Sequence, residues 1–183
     1  MKYQFPHTIE NSIGEKIILK SVEPSTDGDK VIVESFCKPG GGPPMHTHFK
    51  QDECITVVSG KMGYQISGEE PKIATAGETV LFKRGIPHKF WVVGEYSVHC
   101  KGYVQPVNTV IFFLSALFAA QNKSGKPKPE TFDGAYLITK YASEYDMVEI
   151  PSFVKKFILP IACFTGRLLG KYKHFKDAPP PVK

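Results

Sequence analysis

Three histidines and one glutamate stand at spacings that can hold a metal ion. His46 and His48 lie two residues apart in Met45-His46-Thr47-His48-Phe49. In an extended strand such residues project to one face, so both imidazoles can meet the same ion. Four residues separate Glu53 from His48, few enough for a short connection to return it from the next strand as a third ligand. His88 comes directly after Gly85-Ile86-Pro87, a turn sequence, and opens a further candidate strand. Neutral imidazoles suit Fe, Mn, Ni, Cu or Zn, and a carboxylate adds negative charge. Four such ligands leave two open positions on an octahedral ion, as a catalytic or ligand-binding site requires. His46, His48, Glu53 and His88 are therefore the expected ligands of one divalent transition metal ion. Glu53 is also the expected catalytic residue, acting as a base if it loosens from the metal when substrate binds.

Positioning these groups calls for a body of short strands. From about residue 13 to 104, apolar stretches alternate with turn sequences. The candidate strands are 16–22, 30–37, 53–59, 61–67, 78–82, 88–93 and 96–104. Between them lie Thr26-Asp27-Gly28-Asp29, the cluster Pro39 to Pro44, Ser59-Gly60 and Ser67 to Pro71, all rich in turn-forming residues. Closely spaced strands with such turns predict an all-β sandwich or barrel. After residue 105 the pattern changes. Pro106 to Gln121 is apolar and uncharged, long enough for about four helical turns. Further helices are expected at 135–145 and 152–169, the last kinked at Pro160. The run 171–183, ending in Ala178-Pro179-Pro180-Pro181, is expected to be disordered. The domain expectation is thus a barrel over residues 1–104 and a helical extension over 105–183 with a basic, Pro-rich tail. No internal repeat is visible.

The residues then read as two motifs. The first is Gly40, five residues, His46-x-His48, four residues, Glu53, six residues, Gly60; the second is Gly77, Gly85 and His88. This pair resembles the cupin family at those positions. It departs at Lys83, where the family usually has Pro, and at Val92, where it often has Asn, so no role of that Asn is carried over. The resemblance covers about residues 13–104. It implies a mainly β fold, a cupin-type double-stranded β-helix (jelly-roll) barrel of two antiparallel sheets, with the metal in the barrel mouth. The segment after 105 is similar to helical extensions on some bacterial cupins of unassigned activity.

Oxidising cupins motivate a dioxygenase-like reaction, with substrate and dioxygen side by side at the open positions. A metal-dependent isomerase, or a non-catalytic module binding a sugar or effector, would use the same ligands. Tyr64, Phe82 and Phe90 are the candidate substrate pocket for a small molecule. Phe90 lies two residues after His88, so alternation aims it at the same interior. The three rings would equally serve as ordinary barrel core. His7 and His174 read as solvated, His99 as a residue of the last barrel strand, and Cys54 as pointing away from the site. Lys83 and Arg84 flank the His88 turn and could meet an anionic substrate, although a solvated loop is the simpler reading.

Charge and cysteine usage narrow the partners. Residues 1–120 hold 12 basic and 12 acidic side chains, whereas 121–183 hold 11 basic and 6 acidic ones, so the net +5 lies in the last third. No RNP-like, zinc-finger or helix-turn-helix signal accompanies that charge, and no nucleic-acid partner is expected. The four cysteines are scattered, and Met1 to His7 lacks the apolar core of a signal peptide, so free thiols and a cytoplasmic location are expected. The longest apolar run, Val110 to Ala120, is 11 residues and too short to span a bilayer. Phe112, Phe113, Leu114, Leu117 and Phe118 form too wide an apolar surface to leave in water. It could cover the outside of the barrel, build a dimer interface or rest on a membrane; a homodimer is the expected arrangement, and membrane contact by the C-terminal helices is the lesser alternative.

Overall fold

A computed structural model describes residues 3–183; the first two residues of the expected 1–104 unit lie outside it. The strands are His7–Glu10 (β1), Glu15–Glu23 (β2), Lys30–Cys37 (β3), His46–His48 (β4), Asp52–Ser59 (β5), Lys61–Ile66 (β6), Lys72–Thr75 (β7), Thr79–Phe82 (β8), His88–Val92 (β9), Val98–Gln105 (β10) and Tyr145–Met147 (β11). The helices are Val110–Ser124 (α1), Thr131–Lys140 (α2) and Leu159–Leu168 (α3). Strands β1, β7 and β11 lie outside the expected ones, and β4 was expected only as the extended run carrying His46 and His48. Each of β1, β7 and β11 is three or four residues long, too short to carry an alternation of its own.

Two antiparallel sheets face each other, in the orders β1-β2-β3-β10-β5-β8 and β11-β4-β9-β6-β7. Alternation along each strand fills the space between them. Ile55 and Val57 of β5, Met62 of β6, Val80 and Phe82 of β8, and Val92 of β9 are all buried in one cluster. Fully burying such a side chain stabilises the fold by about 1.5–3 kcal/mol. The same parity turns Glu53 inward from β5 and His88 inward from β9, which links the core pattern to the site. The fold is mainly β, a jelly-roll barrel followed by helices, in line with the sequence.

Two glycines allow backbone arrangements in the barrel that a side chain would obstruct. Gly60 turns β5 into β6 at φ +85°, a left-handed conformation that costs glycine little. Gly42, at φ +129°, brings the loop before β4 so close to β9 that any side chain there would collide with the Phe90 carbonyl oxygen.

The helices do more than trail behind the barrel. Val110 and Ile111 pack on Leu19, Val31 and Val104 of the six-stranded sheet. Phe112 and Phe113 turn instead to Leu137, Tyr141, Tyr145 and Phe175. The apolar surface of α1, expected to need a partner, is thus covered within the chain itself. The second helix begins earlier than expected because the Glu130 side chain caps it, accepting from the Asp133 N–H at 3.0 Å. It ends at Lys140, and Tyr145, the last residue of the expected helix, instead starts a strand.

Pro160 does not simply kink the third helix. Residues Val154–Ile158 form a wide turn in which the Leu159 N–H reaches back to the Val154 carbonyl, five residues away. That widening accommodates a ring that would otherwise crowd the preceding turn. Residues 171–183, expected to be disordered, are docked. Phe175 is buried, the Tyr141 hydroxyl donates to the Pro179 carbonyl at 2.8 Å, and the Val182 N–H donates to Glu144 at 2.9 Å. All four cysteines are free. No helix among the described residues is long and apolar enough to cross a membrane.

Glu144, fully buried, is the knot of this arrangement. Its carboxylate accepts from the Gln51 amide at 3.0 Å, from the Thr109 N–H at 3.4 Å and from Val182. Removing it leaves several buried donors unsatisfied. Glu144→Ala is expected to cost about 2 kcal/mol and to lower Tm by several degrees, as read by differential scanning calorimetry.

Candidate metal centre

The four sequence-predicted ligands come together. In the five-stranded sheet His46 sits directly opposite His88 in the β4–β9 register, while His48 faces Tyr145 across β4–β11. Glu53 enters from the facing sheet on β5. One ligand atom from each of the four lies within 4.8 Å of all the others. The ring centroids are 4.5 Å apart for His46 and His88, 5.1 Å for His46 and His48, and 5.7 Å for His48 and His88.

Backbone carbonyls set two of the imidazoles. His46 Nδ1 lies 2.9 Å from the Pro44 carbonyl, and His88 Nδ1 lies 3.0 Å from that of Ile86. A carbonyl can only accept, so each Nδ1 carries the hydrogen and each Nε2 presents its lone pair. His88 Nε2 is 3.2 Å from Glu53 Oε2, within the cluster. His48 Nδ1 is buried with no hydrogen-bond partner, which is costly unless something else engages that ring.

The electrostatics favour a cation. Burial pushes the His48 imidazole down to about 3 and lowers His46 as well, with the neighbouring His88 adding to the His46 shift. Burial alone would raise Glu53. The polar ring of His88, 3.2 Å away, and the nearby His48 and His46 outweigh it and hold the carboxyl at about 2. A neutral His46 and His48 and an ionised Glu53 at neutral pH are the protonation states that metal ligation needs. The residues present therefore fit one divalent transition metal ion, with His46, His48, Glu53 and His88 as its holders. Three nitrogens and one oxygen do not single out which metal.

The candidate pocket residues also lie near the cluster. Phe82 is buried and stacks on the His88 ring at 4.3 Å and 7°. Tyr64 and Phe90 lie 6.0 and 6.1 Å from Phe82 by ring centroid and pack on the same core. Deeper in the barrel, between Cys37, Met62 and Phe90, the free space is only about 20 Å³, room for roughly one water. Burial, helped by Glu15 and Cys100, pushes the Cys37 thiol up to about 12, which makes it an inert lining residue.

Several contributors were not legible in the sequence. Arg84 is neither free for an anionic substrate nor merely solvated. Its side chain donates to Asp52 at 2.9 and 3.1 Å and to Asp27 at 2.6 Å, and its N–H donates to Asp52 at 2.7 Å. The next residue, Gly85, donates its N–H to the His48 carbonyl at 2.7 Å. The loop that delivers His88 is thereby fastened both to β5 beside Glu53 and to β4. Tyr145 stands edge-on to His48 at 5.4 Å and 89°. The sequence around Arg84, Phe82-Lys83-Arg84-Gly85-Ile86-Pro87, contains no acid and gave no local hint of the first arrangement. Nothing in the sequence near Tyr145 pointed to the second.

The remaining histidines stand apart from the cluster. His99 points outward, stacks on Phe36 at 4.4 Å and meets Glu34 at 2.8 Å. His7, expected to be solvated, bonds Ser115 at 3.0 Å and so ties β1 to α1. His174 lies 3.1 Å from Asp133 at a half-exposed position. Cys54 takes the face opposite Glu53, as alternation requires, and lies beside Tyr103.

Comparison with known proteins agrees with this geometry. The family described as the cupin domain matches residues 34–100, which hold all four ligands. The barrel of this chain is a cupin domain. Similar solved structures include an uncharacterised double-stranded β-helix protein from Klebsiella pneumoniae, at 26% identity over 47% of this chain and 74% of that one, with TM-score 0.40. A cupin-like protein from Thermotoga maritima is 15% identical over 55% of this chain and 73% of that one, with TM-score 0.44. KdgF from Halomonas sp. is 15% identical over 54% and 86%, with TM-score 0.43. No curated protein matches the chain.

Two outcomes follow from the geometry. Arg84→Ala frees the His88 loop and should weaken metal affinity by about 10–100-fold, measured by competition with a chromogenic chelator, while the barrel stays folded. The second concerns acid. An unfolded chain protonates His48 near its ordinary 6.5, whereas the folded protein resists down to about 3. The unfolded state therefore takes up protons first, and the metal-free fold loses stability as pH falls from 6.5 toward 3. Glu53, held at about 2 against an ordinary 4.5, extends the loss below pH 4.5. The urea midpoint of the metal-free protein should fall between pH 7 and 4, and fall less steeply in His48→Phe.

Proposed function

We propose that this chain is a mononuclear metal-dependent cupin enzyme whose reaction is a dioxygenase-like oxidation of a small molecule. The observation that supports it is the uneven burial of the ligands. His88 and His48 are closed in, whereas His46 is half-buried and the Glu53 side chain keeps 17% of its surface exposed. One side of the cluster therefore faces outward, where two positions of an octahedral ion would remain for exchange. When bound, the ion supplies Lewis-acid and redox chemistry to a substrate and dioxygen held side by side.

The chain's own groups have distinct tasks in this reading. His46, His48 and His88 each offer a ring nitrogen to the ion. Glu53, oriented by His88, accepts a proton from the substrate as the base of the reaction. Phe82, Phe90 and Tyr64 form a dry wall behind the cluster, which strengthens the electrostatic interactions in front of it. The narrow space behind Phe90 means that a substrate larger than a few atoms binds at the mouth and not inside the barrel.

That same narrowness favours a second reading. A barrel whose interior is filled by Phe82 against His88 can serve as a non-catalytic module, with the ion anchoring a sugar or effector at the mouth. A metal-dependent isomerase would use the same four ligands without dioxygen.

Oxygen uptake separates them. Protein loaded with Fe(II) or Mn(II) should consume dioxygen in the presence of an aromatic or diketone substrate, and Glu53→Ala should reduce that turnover by at least about 100-fold. Uptake absent with every metal would count against oxidation. A Glu53→Ala variant that changes only Tm and ligand affinity would favour the binding module.

A further inference from the structure

The helix over residues 152–168 is built inside out. An ordinary surface helix turns its bulky apolar side chains toward the protein and its polar ones to solvent. Here the face packed on α2 carries small residues: Ala162 and Cys163 are half-buried, and Gly166 is buried. Any side chain at Gly166 would collide with Tyr172 and come 2.9 Å from Phe132, so the close approach is specific to that face. The outward face carries Phe153, Phe157, Ile161, Phe164 and Leu168, spaced four, four, three and four residues apart, each between 55% and 72% exposed. That stripe runs the length of a helix about 25 Å long.

The charges flanking it have one sign. Between Pro151 and Lys176 there are six Lys or Arg and no Asp or Glu. Lys155 turns inward to Asp146 at 2.7 Å. Lys156, Arg167, Lys171 and Lys173 are exposed. A second copy of this chain, paired helix to helix across a two-fold axis, would bring like charges together with no acid on either helix to answer them. An anionic lipid surface answers both features at once. Its headgroups neutralise the cations, and its acyl boundary receives the phenylalanines. The helix is too short and too polar to cross a bilayer, so it would lie in the interface plane.

We propose that residues 152–168 form a membrane-surface helix that docks this protein on anionic lipid through Phe153, Phe157, Ile161, Phe164 and Leu168, with Lys156 and Arg167 contacting the headgroups.

The test uses the full chain and co-sedimentation with vesicles of phosphatidylcholine alone or with about one-third phosphatidylserine. Binding is expected to be at least about tenfold tighter to the anionic vesicles and to weaken with added salt. Phe157→Ser with Phe164→Ser should lower affinity for the anionic vesicles by at least about tenfold. Lys156→Gln with Arg167→Gln should do the same. All four positions are exposed, so an unchanged Tm for each double variant shows that the fold is intact. Absence of binding to either vesicle would overturn the proposal. If light scattering then gave a dimer that the phenylalanine variant split, the face would be an interface between copies. Equal affinity for both vesicles would overturn it too, because the cations would then have no part.

Discussion

The carboxylate of Glu53, largely withdrawn from water, is the constraint around which the site end of the barrel is organised. An ionised group with so little water around it is stable only when opposing partial charges and donors surround it. Three imidazoles surround it, and burial keeps those of His46 and His48 uncharged, so the site favours a cation. Everything that fixes those four side chains follows from this need. Strand parity turns Glu53 and His88 into the same space, register sets His46 opposite His88, and two backbone carbonyls choose which nitrogen faces inward. Close packing of Phe82 on His88 then removes water from behind the cluster.

The helical part of the chain completes this architecture and is not simply appended to it. The edge of the five-stranded sheet at β4 holds two of the four ligands, and a three-residue edge strand would be easily deformed by itself. It is closed by β11, which comes from beyond α2, and Tyr145 of that strand braces His48. The neighbouring Glu144 carries the connection onward through Gln51, Thr109 and Val182. Barrel, first helix and C-terminal tail therefore share one buried polar knot, two residues' width from a ligand strand. On the opposite side, Arg84 holds the His88 loop between two aspartates. The cluster is fastened from both flanks by residues that take no part in ligation.

Much of the candidate site was legible because its logic is local. His46 and His48 needed only a strand period of two, and Glu53, His88, Phe82 and Phe90 needed only the parity of their own strands. The long strands β2, β3, β5 and β10 were visible for the same reason, each being eight or nine residues with turn chemistry at its ends. Legibility failed where partners were distant. Tyr145 reads as the end of a helix until its pairing with His48 is known. The Pro-rich tail reads as disordered because nothing local reveals the donors of Tyr141 and Ser143 that its carbonyls accept from. Pro160 reads as a kink, whereas the chain absorbs it in a widened turn.

The sequence by itself determined a mainly β barrel with cupin motifs, four side chains placed to hold one ion, and an aromatic interior beside them. Spacing and alternation carry that information, and both survive without knowledge of neighbours. Only the tertiary structure decided which nitrogen of His46 and His88 turns inward, how little space lies behind the cluster, and what closes the open edge at β4. It also decided the fate of the apolar residues after 105. Those of α1 are consumed inside the chain, whereas those of the last helix face outward, although both read alike as apolar runs. Which face of a helix is covered depends on what packs against it, here the small residues Ala162, Cys163 and Gly166 against α2, and no period in the sequence specifies that choice.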